Sequence, residues 1–241
     1  MSTAPQAQIP GRFITLEGGE GAGKSTAALF IRDWLMARGR TVRTTREPGG
    51  SPLAEAIRAV VLGNWEEGVP AESEVLLMFA ARAAHLNATI WPALARGEDV
   101  ICDRFVDASW AYQGEGRGVP AERLAELEAY VLKGFAPQLT VLFDLSPEQG
   151  LVRANQRGNT NRFEAEAMAF QERVRAAYLQ RAFAAPERYA VIDAGAPLAE
   201  VQAALDAGAE VELDVGVDVG EADGGSAGLN AEHRAGISAN L

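Results

Sequence analysis

Cysteine is almost missing from this sequence: Cys102 is the only one. No intramolecular disulfide can therefore form, and no cysteine cluster can hold zinc, as expected of an intracellular chain. Long apolar runs are missing too. None approaches the ~18 residues needed to cross a bilayer, and residues 1–10 lack a basic patch followed by an apolar core. These absences predict a soluble, cytoplasmic protein with no membrane partner. Positive charge is scarce as well, with 22 Lys and Arg against 33 Asp and Glu and a formal charge of −11. Nonspecific nucleic-acid binding needs a dense cationic face, so no nucleic-acid partner is expected.

The acid excess is concentrated at one end. Residues 206–241 carry eight acids and one Arg, net −7, which leaves −4 for residues 1–205. The same stretch holds seven glycines, no aromatic residue and a tandem Asp214-Val215-Gly216-Val217, Asp218-Val219-Gly220. It cannot bury enough apolar surface to offset the entropy of ordering it. The reading is an acidic, disordered tail over 206–241, with a docking peptide as the alternative. Beyond a short flexible start at 1–11, residues 12–205 have the length and apolar content of one α/β domain.

What is present is concentrated in Gly18-Gly19-Glu20-Gly21-Ala22-Gly23-Lys24-Ser25. This is Gly-x-x-x-x-Gly-Lys-Ser, preceded by the strand-like Phe13-Ile14-Thr15-Leu16 and followed by a helical pattern from Ser25 to Met36. In that order the glycines turn backbone N–H groups onto phosphate oxygens, Lys24 neutralises terminal phosphate charge, and Ser25 can ligate Mg²⁺. Four further strands are predicted, at Thr41 to Thr45, Asp99 to Cys102, Leu139 to Phe143 and Tyr189 to Ile192. Helices are predicted over Pro52 to Leu62, Glu72 to Arg96, Ala121 to Leu132, Pro147 to Arg157, Glu164 to Phe183 and Pro197 to Leu205. Alternation of this kind predicts a parallel sheet with right-handed crossovers and ligands at the carboxyl ends of the strands.

A phosphate loop alone does not separate kinases from GTPases or switches. Thr45-Arg46-Glu47-Pro48-Gly49-Gly50 after the second strand, Asp103-Arg104-Phe105 closing the third, Ser109-Trp110-Ala111-Tyr112-Gln113-Gly114 and the Arg-rich stretch from Arg153 to Glu164 add to it. Together, from about Arg12 to Leu205, they resemble the bacterial thymidylate kinase family. The resemblance implies a P-loop nucleoside monophosphate kinase fold, ATP-dependent phosphorylation of dTMP to dTDP on the route to dTTP, Mg²⁺ as cofactor and a homodimer packed through helices flanking the sheet. It implies ATP on Gly18, Gly19, Glu20, Gly21, Ala22, Gly23, Lys24, Ser25 and Thr26. Mg²⁺ would lie near Ser25 and Asp103.

For dTMP the resemblance implies Glu20, Arg46, Pro48, Met78, Arg82, Arg104, Ser109, Tyr112 and Gln113. Arg46 and Arg104 would grip the acceptor phosphate, and an ion pair with Asp103 is the structural alternative for Arg104. Arg82 would bond the thymine carbonyl, Ser109 and Gln113 the base edge, and Tyr112 would crowd C2′. The base-stacking position carries Met78 here, followed by Phe79, and either could meet the ring. Glu47 is read as holding Arg46 or Arg104, or as touching ligand directly; His85 is read as a helix-face or pocket neighbour. Glu20 would bind the 3′-hydroxyl. One subgroup follows this acid with a loop arginine, where this chain has Gly21, so the missing charge would come from a lid over about 153–164 bearing Arg153, Arg157 and Arg162. The catalytic set is thus Lys24, Arg104, Arg153 and Arg157.

The acceptor would be a phosphate monoester, already largely ionised near pH 7, so no catalytic base is required. A deoxynucleoside kinase of the same fold would need a carboxylate base, and a non-catalytic switch would need none of the acceptor groups.

Overall fold

All six residues of β1 (Phe13–Gly18) are buried, as expected of a central strand covered on both faces. The structure, a computed structural model, describes residues 11–156, 163 and 166–213. β1 pairs in parallel with β3 (Asp99–Asp103) on one side and with β4 (Leu139–Asp144) on the other. Beyond them β2 (Val42–Arg46) and β5 (Tyr189–Asp193) form the edges, giving the order β2-β3-β1-β4-β5. Every predicted strand is present, and each runs one or two residues further, because pairings such as Leu16↔Asp103, Arg46↔Asp103 and Asp144↔Asp193 continue the ladder into polar residues. Those extra residues are the ones that reach the ligand edge.

Helices cover both faces. Against one face α1 (Lys24–Ala37) packs Ile31 and Leu35 on Ile14, Leu16, Val141 and Ile192. The chain continues through α2 (Pro52–Leu62), whose N-cap Ser51 accepts from the Ala54 amide at 3.4 Å, and α3 (Ala71–His85). The helix predicted from Glu72 to Arg96 is present as one unbroken helical run over 71–95, in which a π-helical turn (Leu86–Ile90) joins α3 to α4 (Trp91–Ala95). Pro92 has no N–H and its ring would meet the carbonyl one turn back, and the wider turn accommodates both.

After β3 come α5 (Val106–Ser109) and a second π-helical turn (Trp110–Gly116), neither foreseen. α6 (Ala121–Leu132) follows. α7 (Pro147–Gln156) leads toward the predicted lid, and α8 (Met168–Ala184) begins four residues later than predicted. Arg157 and Arg162 lie outside the described residues. α9 (Leu198–Leu213) buries Leu205 against the sheet and continues past the predicted end at that residue, since Ala207, Ala209, Glu210 and Leu213 are good helix formers. The acidic segment is therefore helical over its first residues, and 214–241 lie outside the described residues. No helix among the described residues is long and apolar enough to cross a membrane.

Candidate active site

β1 lies between β3 and β4, where the chain order reverses, and this puts a crevice at the carboxyl ends of the three strands. The phosphate loop leaves β1 there. Gly18 has φ +134° and Gly21 φ +70°; a Cβ would strike the Phe143 carbonyl at the first and the Gly150 carbonyl of α7 at the second. Gly21 thus has no room for a side chain on this backbone. Lys24 is buried and its Nζ donates to Gly18 O at 3.1 Å and Gly19 O at 2.8 Å. One of its three N–H groups remains for a phosphate oxygen. Burial, and then the charge of Arg104, pushes its pKa down to about 8.

Arg104 leaves β3 with φ 67°, unusual for a residue with a side chain, and the cost of about 1–3 kcal/mol is borne by bonds on either side. Its amide donates to Leu16 O at 2.9 Å, and the next amide, Phe105 N, donates to Glu17 Oε1 at 2.7 Å. The guanidinium donates to Gly18 O at 2.8 Å, to Tyr178 Oη at 3.2 Å and to Glu20 Oε1 at 2.8 Å, and lies 4.8 Å from the Tyr112 ring centre. Its ion-pair partner is Glu20, not Asp103. Tyr112 Oη donates to the same Glu20 oxygen at 3.3 Å.

Around these groups lies a cavity of about 530 Å³. Glu20 to Thr26 line it, with Arg46, Glu47, Pro48, Met78, Asp103, Arg104, Tyr112, Gln113 and Arg153. Arg58, Leu62, Ala108 and Phe163 line it as well and were missed. Five cations, Lys24, Arg46, Arg58, Arg104 and Arg153, face three acids, so an acidic chain carries a locally positive cavity. Arg58 could have been suspected as the one charge within Ala56-Ile57-Arg58-Ala59-Val60-Val61-Leu62. It donates to Pro48 O at 2.7 Å and burial lowers its pKa. Arg46 pairs with Glu55 at 3.1 Å at the rim.

Among the described residues, four predicted ones do not line the cavity: Gly18, Gly19, Arg82 and Ser109. The two glycines contribute carbonyls to Lys24. Arg82 is 1% exposed; it donates to Glu47 Oε2 at 2.7 Å, Ser109 Oγ at 3.1 Å and Phe105 O at 2.9 Å, keeping two of its five N–H groups. Glu47 therefore holds Arg82, and at 3.1 Å His85, rather than Arg46 or Arg104. His85 also meets Thr45 Oγ1 at 2.7 Å and is fully buried, so it is no pocket neighbour. Of the two base-stacking candidates Met78 lines the cavity, whereas Phe79 packs into the core beneath Arg82.

A second cavity of about 270 Å³ adjoins the loop, lined by Ala22, Gly23, Thr26 and Phe30 and by Ala194, Ala196 and Gln202 beyond β5. Arg153 lines both cavities and donates to Ala194 O at 2.9 Å. Of this lining only Ala22, Gly23, Thr26 and Arg153 belong to the predicted site, because the remaining walls come from residues far apart in the chain that form no motif.

Ser25 Oγ lies 3.3 Å from Asp103 Oδ2. Two hard oxygens beside a phosphate loop fit Mg²⁺, which takes few protein ligands and shares the rest between water and phosphate. A phosphate loop at the switch point of a parallel sheet, opening into an arginine-lined cavity, defines a phosphotransferase with a nucleotide donor. Sequence comparison narrows this. A family model described as thymidylate kinase matches residues 16–205. The chain is 56% identical over 198 residues to a thymidylate kinase of Pseudomonas savastanoi pv. phaseolicola, covering 82% of this chain and 94% of the other. It is 56% identical over 199 residues to one of Pseudomonas entomophila, covering 83% and 95%. The crystal structure of thymidylate kinase from Ehrlichia chaffeensis superposes with a TM-score of 0.63 at 32% identity, covering 76% of this chain and 93% of that one. The chain belongs to the thymidylate kinase family.

Proposed function

We propose that the chain transfers the γ-phosphoryl group of ATP to dTMP, giving dTDP, within the larger cavity. The observation that carries this reading is the meeting of the phosphate loop, with Lys24, and an acceptor group of Arg46, Arg58 and Arg104 in one space. Two polyanions must approach each other there, and positioning together with charge compensation supplies most of the catalysis. Lys24 donates to the phosphates of the donor, and Arg104 presents a planar fork to the acceptor phosphate. Arg153 reaches both cavities and so can follow the phosphoryl group from donor to acceptor; Arg157 joins it in this reading from outside the described residues. The second cavity suits the donor's adenosine.

Ser25 and Asp103 would hold Mg²⁺, which when bound neutralises charge on the donor phosphates. At the base, Met78 and Pro48 offer apolar contact to thymine, Gln113 a polar edge, and Arg82 with Ser109 stands behind the wall. Tyr112, packed edge-on against Phe163 at 5.6 Å, limits the room beside the sugar, and Glu20 accepts the 3′-hydroxyl. We also infer that the chain is cytoplasmic and forms a homodimer, the latter supported by exposed Leu53 and Val60 on α2 and Leu76 on α3.

The test is an acceptor panel with labelled ATP and Mg²⁺. Transfer to dTMP, with thymidine unreactive, is expected. Transfer to thymidine would favour a deoxynucleoside kinase, and single-turnover conditions without any transfer would leave only a nucleotide-binding switch.

A further inference from the structure

Gln113 Oε1 is the only buried side-chain nitrogen or oxygen among the described residues with no hydrogen-bond partner. Its residue lines the larger cavity. A side-chain amide carries an acceptor at one corner and donors at the other, so the corner left over decides which ligand group it can recognise. Here the choice is made by Glu74. This carboxylate is fully buried on α3; Oε1 receives Gln113 Nε2 at 2.9 Å and Oε2 receives Arg117 Nε at 3.3 Å. An ionised carboxylate only accepts, and turning the Gln113 amide over would set two acceptor oxygens against each other in a site without solvent. Arg117 restrains the carboxylate in turn, for it also pairs with Glu166 at 2.6 Å and lies over the Phe170 ring at 4.9 Å.

We propose that Glu74 is a specificity-determining positioning residue, which locks Gln113 as a hydrogen-bond acceptor toward the base and so selects pyrimidines with an N3–H over cytosine. The inference rests on the dTMP reading above. Thymine and uracil carry a donor at N3 that satisfies Oε1. Cytosine carries a lone pair there, which would leave two buried acceptors facing each other. Sites that hydrogen-bond one substrate group reject analogues lacking it by factors of about 10⁴–10⁵, whereas a missing methyl changes selectivity by only about 10–200-fold. Discrimination against dCMP and against dUMP therefore depends on different atoms and can be changed separately.

The experiment measures kcat/KM for dTMP, dUMP and dCMP, with melting temperature, in the unaltered enzyme and in Glu74→Gln, Glu74→Asp and Gln113→Ala. Glu74→Gln lets either end of the Gln113 amide face it, so the dTMP-to-dCMP ratio is expected to fall at least about tenfold while the dTMP-to-dUMP ratio stays constant. Glu74→Asp remains an acceptor and should keep the dTMP-to-dCMP ratio even if rates drop. An unchanged dTMP-to-dCMP ratio in Glu74→Gln, or equal losses in both ratios, overturns the proposal, the second because it signals general loosening. Gln113→Ala separates the two levels of argument: if it leaves dTMP turnover untouched, the base does not lie at Gln113 and the site reading itself fails. Should Glu74→Gln not fold, the unaltered enzyme decides with the N3-methyl analogue of dTMP, which keeps both carbonyls and has no N3–H. A loss of at least about tenfold against dTMP supports an acceptor at Gln113, and equal turnover overturns it.

Discussion

Arg104 Nη2 donates to Glu20 Oε1 at 2.8 Å, which ties the exit of β3 to the middle of the phosphate loop. The pair is nearly buried, with both side chains below a fifth exposed, and Tyr112 Oη shares the same carboxylate oxygen. An acid inside a phosphate cradle is thus compensated by Arg104, the residue proposed for the acceptor phosphate. Arg104→Lys keeps the charge but loses the fork that reaches Gly18, Tyr178 and Glu20 together. Its kcat/KM for dTMP should fall by about 10²-fold, or about 2.7 kcal/mol of transition-state stabilisation. A loss below about tenfold would remove Arg104 from the acceptor grip.

Lys24 should reveal itself by a proton. Its pKa is held down to about 8 by burial and by Arg104, and an arriving triphosphate raises it again. Between those two values binding must take up a proton, so nucleotide affinity weakens as pH rises above about 8. Calorimetry of ATP binding at about pH 9, in buffers of different ionisation heat, should show proton uptake that vanishes near pH 6 and in Lys24→Met. Lys24→Ala should also lose more than about 90% of turnover, over 1.4 kcal/mol, with its circular dichroism unchanged.

Tyr112 is 5% exposed and wedged among Phe163, Phe170 and Tyr178. Ring bulk beside the sugar should exclude a 2′-hydroxyl, both sterically and by leaving it poorly paired. Tyr112→Phe should preserve the preference for dUMP over UMP, and Tyr112→Ala should relax it while weakening dTMP. Equal dUMP-to-UMP ratios in wild type and Tyr112→Ala would show that the ring does not read the sugar.

Glu17 predicts a pH dependence of stability. Burial first, then the charge of Asp107, raises its pKa from 4.5 to about 7, although Tyr178 and Phe105 donate to it. Between about pH 4.5 and 7 the folded chain holds a proton that the unfolded chain has released, so the Glu17 contribution to stability falls as pH rises through that window. Asp107 does not cancel this, because despite its burial Arg188 and Arg181 hold it down to about 2. Glu17→Gln removes the titration. Its melting temperature relative to wild type should rise between about pH 5 and pH 8, and a constant difference would assign the window to other groups.

The phosphate loop was legible because its function is written in backbone conformation, and only certain residues permit that conformation at a fixed spacing. Gly18 and Gly23, the two fixed glycines of the motif, both adopt positive φ, and Lys24 and Ser25 follow them in the chain. The five strands were legible for a similar reason, as short β-rich runs between helical periods. Their last residues were not, since Arg46, Asp103 and Asp193 are polar and stay in the sheet only through neighbours in the ladder.

The π-helical turn before Pro92 shows the limit from another side. A helical period carries across a proline on paper, while the backbone must widen to pass it. Arg58 was missed because a charge on a mostly apolar helix does not show what it faces. The far wall of the second cavity, with Phe30, Ala194 and Gln202, belonged to no motif.

By itself the sequence determined the fold class, the phosphate-loop motif and the order of the motifs that follow it, because these depend on local conformational preference and on residues close together in the chain. The tertiary structure decided pairings: Arg104 with Glu20 rather than Asp103, Glu47 with Arg82 and His85, Met78 rather than Phe79 at the cavity, and Glu74 behind Gln113. A buried charge or amide must find a partner within hydrogen-bond reach, and several candidates of the right chemistry were available along the chain. Which of them lies near enough depends on how β1, β3, α3 and the turn at Trp110–Gly116 pack, and one-dimensional spacing does not contain that distance.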